Sequence, residues 1–132
     1  IARQIVEKNK GAIAKTDADN LTAIFNSVSH AVDATDQLFE AFENDNHRLP
    51  SSQHIRASAG IAYGEILAVP GYDVNGDAVN LSYKLGEDLA EVGEILVDQS
   101  AYECLSESQQ TDYSARCFEV SGVTISAWLK PL

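Results

Sequence analysis

Asp73-Val-Asn-Gly-Asp-Ala-Val-Asn-Leu-Ser-Tyr-Lys-Leu85 passes from a turn-rich loop into a helix. Gly71 to Gly76 is the loop, and from Asp77 onward Ala78, Leu81, Ser82, Leu85 and Leu89 recur at helical spacing. At about 100° per residue these positions gather on one side. Asn80 and Lys84 fall on the other side, one turn apart, with Asp77 near them. A neutral amide and an ammonium on one face can hold a sugar oxygen and a phosphoryl oxygen together. The same spacing also describes an ordinary solvated helix face.

On the N-terminal side, Ile55, Ala57, Ala59 and Ile61 alternate with His54, Arg56, Ser58 and Gly60, the period of a strand. Gly64 marks a turn, and Glu65 to Val69 a strand pairing back. Earlier still, Val28, Val32, Thr35, Phe39 and Phe42 predict a helix capped by Ser27 or Asn26 and running to about Asn44, before a polar loop from Asp45 to Gln53. Ala12 to Thr16 and Leu21 to Asn26 are short β-prone runs around Asp17-Ala18-Asp19-Asn20, a hairpin signal, preceded by the tail of a helix stopped at Gly11. On the C-terminal side come a strand at Ile95 to Val97, a short helix from Gln99 to Ser106, and a final hairpin turned at Ser121-Gly122.

The order helix, hairpin, helix, hairpin, helix, strand predicts an α+β fold. With one more strand upstream it is a ferredoxin-like βαββαβ sandwich, one antiparallel sheet with helices on one face. The N-terminal strand of that sandwich is absent from this chain. Residues 1–132 read as a single domain, with 45% apolar residues for its core. The sequence contains no methionine and begins at Ile1, so it is read as a fragment whose N-terminus lies upstream.

Nine Lys and Arg against twenty Asp and Glu give a formal charge of −11. That field repels phosphate backbones and excludes nucleic acid as a natural partner. A nucleotide polyphosphate would have to arrive with metal ions or meet local cations. No apolar run is long enough to span a bilayer, and Ile1 to Lys10 mixes charges through its apolar positions, unlike a signal peptide. No membrane contact is expected. Cys104 and Cys117 fit no metal spacing and make no disulfide framework, which points to a reducing cytoplasm. His30, His47 and His54 lie far apart and read as surface or loop residues; Trp128 and the Phe39/Phe42 pair read as core.

Asp17 and Asp19 flank one residue at the first predicted turn, where paired carboxylates can hold a hard cation or simply form the turn. Three segments in order raise the functional reading. Gly11-Ala-Ile-Ala-Lys-Thr-Asp-Ala-Asp-Asn-Leu-Thr-Ala-Ile-Phe25 resembles the second strand pair of class III nucleotidyl cyclases. Ile55-Arg-Ala-Ser-Ala-Gly-Ile-Ala-Tyr-Gly-Glu65 resembles that family's dimer-proximal hairpin. The stretch from Asp73 to Leu85 is similar to its Asp-x-x-Gly-x-x-Val-Asn-x-Ala-x-Arg-Leu, and Gly93-Glu-Ile-Leu-Val97 matches the strand that follows. The resemblance runs from about Gly11 to Leu105 and implies a cyclase homology domain.

Position by position, the resemblance implies Asp19 as a metal-binding carboxylate, Lys15 and Asp73 as purine contacts that favour adenine over guanine, Asn80 orienting the ribose, and Lys84 on the transferring phosphoryl group. It implies two Mg²⁺ or Mn²⁺ ions, ATP as substrate, and a homodimer with active sites at the interface. Three departures stand beside it. The family's first metal carboxylate lies on a strand upstream of Gly11. Ala18 replaces the glycine before the metal Asp, with Asn20 better suited to a left-handed turn. Lys84 replaces arginine, keeping charge but losing the planar fork. These departures suit a rival reading, a non-catalytic cyclase-homology module that dimerises and binds nucleotide as a regulatory element. A guanylate cyclase is disfavoured by Lys15 and Asp73 together.

Overall fold

The computed structural model describes residues 2–17, 19–68 and 74–131. The expectations placed on Ala18 and Asp73 lie outside the described residues. The chain divides into two compact units, Ile1–Ala57 and Ser58–Leu132.

In the first unit, α1 (Ala2–Lys8) packs on α2 (Val28–Asn46) and on β1 (Gly11–Asp17), which pairs antiparallel with β2 (Asn20–Phe25). The Asn9 amide fastens the two helices by donating to Ile5 O at 2.8 Å and to Gln37 Oε1 at 3.0 Å. Gly11 lies opposite Phe25, and a Cβ there would sit 2.4 Å from the ring, so only glycine lets the ladder start so close. Asp17 pairs with Asn20, which puts the tight turn on residues 18 and 19 and leaves Asn20 on the strand. The turn therefore does not fall on Asn20, the residue best suited to a left-handed turn. Val28, Ala31, Val32 and Ala34 form the buried stripe of α2. Ser27 occupies the N-cap in extended backbone but makes no side-chain cap bond. The helix continues two residues past the expected Asn44, and the Asn46 amide then braces Ile55, donating to its carbonyl at 2.9 Å and accepting its N–H at 2.7 Å.

The second unit holds a four-stranded sheet in the order β3 (Ala59–Ile61), β6 (Ile95–Asp98), β8 (Val123–Lys130), β7 (Ser114–Val120). β3 lies parallel to β6, and the other two pairs are antiparallel. The sheet is mixed where a purely antiparallel one was expected. β4 (Leu67–Ala68) pairs with β5 (Val74–Asn75), not with β3 as the anticipated hairpin requires. The alternation from His54 to Ile61 reports an extended chain with one buried face; it carries no information about which neighbour completes the ladder.

A parallel pair needs a crossover, here provided by α3 (Asp77–Tyr83) and a π-helical turn, Lys84–Leu89. β6 is apolar and buried at every position up to its final Asp98, as expected of a strand covered on both faces. Leu85, Leu96, Ala127 and Leu129 form a core surrounded by Leu81, Leu89, Ala90, Phe118 and Ile125. Burying one such leucine contributes about 1.5–3 kcal/mol. Two glycines set how closely helix and sheet approach. A Cβ on Gly60 would lie 2.3 Å from Ser82 O and 2.4 Å from Gly86 N, and Ser58 Oγ donates to Gly86 O at 2.7 Å.

The last hairpin turns at Ser121 (φ 51°) and Gly122 (φ 79°), two consecutive left-handed residues suited to a two-residue connection. Trp128 is only partly buried. Its ring stacks on Tyr102 at 3.7 Å and its Nε1–H donates to Gln99 Oε1 at 2.8 Å, so it tethers α4 (Gln99–Glu103) to β8. α5 (Glu107–Gln110) follows with a capping box at Ser106. Among the described residues, no helix is long and apolar enough to cross a membrane.

Candidate functional site

The outer face of α3 is built from a glycine and a change of helical pitch. Gly76 precedes the helix at φ 143°, a conformation that favours glycine, and its open side abuts Glu65 O, 2.9 Å from where a Cβ would stand. Asp77 then opens the helix and complements its dipole. Asn80 donates its backbone N–H to Gly76 O at 3.2 Å, and its side chain is exposed. Leu85 is fully buried and Ala78, Leu81, Ser82 and Leu89 are partly so, whereas Asp77 and Asn80 face out. Val79 is also buried, a position the amphipathic count left outside the inner face.

Lys84 opens the π turn, where the chain widens so that Ala90 N–H reaches back to Leu85 O at 2.8 Å. This turn was expected to continue as α-helix with Glu87 and Asp88 solvated. Both are exposed, but Asp88 has a specific partner: Lys84 Nζ lies 3.1 Å from its Oδ2. An exposed pair of this kind contributes at most about 1 kcal/mol, so the ammonium is held loosely and can be surrendered to a stronger anion. π turns interrupt α-helices most often at functional sites.

On the first hairpin, the register shifts between Ile13 and Lys15, and Lys15 then pairs across to Thr22. Lys15 Nζ lies 3.5 Å from Asp17 Oδ2, as alternate residues on one strand face allow. Asp19 is exposed at the turn. Among the described residues no group of three or more His, Cys, Asp or Glu is arranged to hold a metal ion. Asp19 still offers a hard oxygen donor, and Mg²⁺ commonly takes one or two carboxylates while substrate phosphates and water complete its shell. The donor chemistry fits such an ion in that shared form. The structure thus brings Asn80 and Lys84 onto one helix, and Lys15, Asp17 and Asp19 onto one hairpin, each set within its own unit.

Sequence reasoning missed Asp98. It ends β6, is 8% exposed, and caps α4 by accepting Ala101 N–H at 2.8 Å. The same Oδ1 accepts Tyr63 N–H at 3.3 Å. An aspartate directly before a helix is a readable cap, but its second bond joins residues far apart in sequence and leaves no local signal. Burial pushes the carboxyl above its ordinary range, aided by the charge of Glu103 and opposed by the backbone N–H bonds. The folded state therefore keeps a proton that the unfolded chain has already released. Stability should fall as pH rises from the ordinary carboxylate range through the raised value. Urea unfolding across acidic pH should show wild type losing stability relative to Asp98→Asn over that window, and parallel curves would contradict it.

No protein-family model and no curated protein matches the sequence. Solved structures do. A crystal structure of an adenylate/guanylate cyclase/hydrolase from Silicibacter pomeroyi superposes with a TM-score of 0.81 at 23% identity, over 100% of this chain and 79% of that one. Adenylate cyclase from Trypanosoma brucei, in its monomeric state, gives 0.72 at 19% identity over 97% and 73%. The catalytic core of a rhodopsin-guanylyl cyclase with converted specificity, in complex with ATPαS, gives 0.76 at 17% identity over 97% and 74%.

Proposed function

We propose, for a chain with the fold of nucleotidyl cyclase catalytic domains, that it is an adenylate cyclase converting ATP to cyclic AMP and pyrophosphate. The observation that carries this reading is the outward face of α3 and its π turn, with Asn80 and Lys84 one turn apart. Residues 1–132 act as one catalytic domain in the cytoplasm. Two protomers complete each site, one contributing Asp19 and its purine-contacting residues and the other the α3 face.

The reaction joins the ribose 3′-oxygen to the α-phosphorus and breaks the bond from that phosphorus to the bridging oxygen of the leaving pyrophosphate. The hydroxyl proton passes to solvent. Two divalent ions, Mg²⁺ or Mn²⁺, held in part by Asp19, supply charge neutralisation and favour the 3′-alkoxide. Asn80 holds the ribose so that its 3′-oxygen is in line with the α-phosphorus, which converts a rare encounter into a positioned one. Lys84 leaves Asp88 for the transferring phosphoryl oxygens and stabilises the charge that develops there. Lys15 donates to an acceptor nitrogen of adenine, and Asp73 accepts from the exocyclic amine.

The test is cyclic nucleotide production by the full-length protein with ATP or GTP, in Mg²⁺ and in Mn²⁺. Cyclic AMP as the main product is expected. Cyclic GMP as the main product would overturn the base assignment while leaving the chemistry. No product under any condition, from folded dimer, would favour the regulatory module, a reading to which the Lys84–Asp88 pair lends support because it occupies the one ammonium on that face.

A further inference from the structure

Asp98 lies outside the face assigned to substrate, yet its carboxylate joins two parts of the second unit. One oxygen accepts from Ala101 N, at the start of α4, and from Tyr63 N, just beyond β3. The residues after Tyr63 form a bracket around the start of α3. Gly64 faces Ala78, with only 3.3 Å between the place of its absent Cβ and the Ala78 Cβ. Glu65 O and Ile66 back the open side of Gly76, whose carbonyl in turn receives the Asn80 N–H. A path of direct contacts therefore runs from Asp98 through Tyr63, Gly64 and Glu65 to Gly76, Ala78 and Asn80.

We propose that Asp98 is a positioning residue: by holding the Tyr63 amide it fixes the bracket that seats the N-terminal turn of α3, and through it the orientation of Asn80. The consequence for turnover rests on the reading of α3 as the substrate face; the consequence for the backbone does not. A cap alone needs only the bond to Ala101. What goes beyond a cap is the second acceptance, made by a nearly buried carboxylate toward a residue on another element. Its burial raises the carboxyl, so the buried charge is held against a cost and depends on its N–H partners. Removing one partner of such a group costs more than the bond itself is worth.

Three variants separate the roles. Asp98→Asn keeps an oxygen of the same reach. Asp98→Ser keeps a cap for α4 but is too short to hold Tyr63 as well. Asp98→Ala loses both. Amide hydrogen exchange is read by NMR or mass spectrometry at Tyr63, across 76–80, and across α4, each relative to the β6 amides that report global opening.

In Asp98→Ser and Asp98→Ala, exchange at Tyr63 and across 76–80 should rise about tenfold relative to β6, while α4 stays protected in the Ser variant and Asp98→Asn follows wild type. In the cyclase assay, the Ser variant should lose about tenfold in kcat with KM for ATP within about twofold, and Asn should restore it. A rise at Tyr63 without one at 76–80 would overturn the coupling. So would a uniform rise that matches β6. If wild type makes no cyclic nucleotide, the function proposed above fails, and the exchange pattern still decides whether Asp98 seats α3.

Discussion

Lys84→Ala and Asn80→Ala should each lower cyclic AMP production by about a hundredfold or more, with little change in unfolding free energy. The two side chains lie on the outer face of α3 and its π turn, away from the core of Leu85, Leu96, Ala127 and Leu129. Their loss therefore removes chemistry and not packing. For Asn80 the loss is one of alignment, where a displacement of about 1 Å costs roughly a hundredfold. For Lys84 it is charge stabilisation in the transition state, for which removing one donor costs about a hundred- to a thousandfold. Both losses should fall on kcat more than on KM. Lys84→Arg is the informative companion: the guanidinium fork can bind two phosphoryl oxygens at once, so turnover at or above wild type is expected. Steady-state kinetics beside urea unfolding checks all three. An active Lys84→Ala enzyme would remove Lys84 from the mechanism and leave it as the partner of Asp88.

The second large effect is on the fold. Gly60→Val should destabilise the chain by about 3 kcal/mol or more, and Gly86→Ala by a smaller amount in the same direction. At Gly60 the obstructing atoms are the Ser82 carbonyl, the Gly86 nitrogen and the Leu85 Cβ, at 2.3, 2.4 and 2.9 Å. Two of these are backbone atoms of a helix that cannot rotate aside. The helix must lift from the sheet, which withdraws Leu85 from the core and stretches the 2.7 Å bond from Ser58 Oγ to Gly86 O. At Gly86 the nearest atom is Gly60 N at 2.9 Å, a milder conflict. Urea denaturation measures both, and a Gly60→Val protein within about 1 kcal/mol of wild type would mean that the helix and sheet are not in contact there.

The α2 helix was legible because Val28 and Val32 lie on its buried stripe, with Ala31 and Ala34 completing it. The first and last hairpins were legible because Asp17 to Asn20 and Ser121-Gly122 are local turn signals, and such signals need no knowledge of the rest of the chain. The partners of β3 and β4 were not, since a three-residue and a two-residue strand carry too few side chains to specify a neighbour. Nor was the π turn, because one widened turn shifts side-chain direction by less than the amphipathic count resolves; its buried Leu85 and outward Lys84 satisfy an α-helical reading equally well. The mixed sheet follows from the same limit, as strand direction relative to a distant neighbour is set by the crossover and not by either strand. At the candidate site, Asn80 and Lys84 were found through the order of several weak segments, whereas Asp98 and the role of Asp88 depend on contacts in space.

The parallel pairing of Ala59–Ile61 with Ile95–Val97 encloses the whole segment from Ala62 to Glu94 in one closed loop of chain. Closing a loop of that length costs roughly 3 kcal/mol of entropy before any contact within it repays the loss. The Ser114–Val120 hairpin, with its two-residue connection, has almost no such cost and can form early. The helix bearing Asn80 and Lys84 lies inside the slow loop. Its seat on the sheet exists only once that loop has shut, so the folding step with the highest entropic barrier is also the one that assembles the functional face. A newly made chain acquires its substrate face late and all at once.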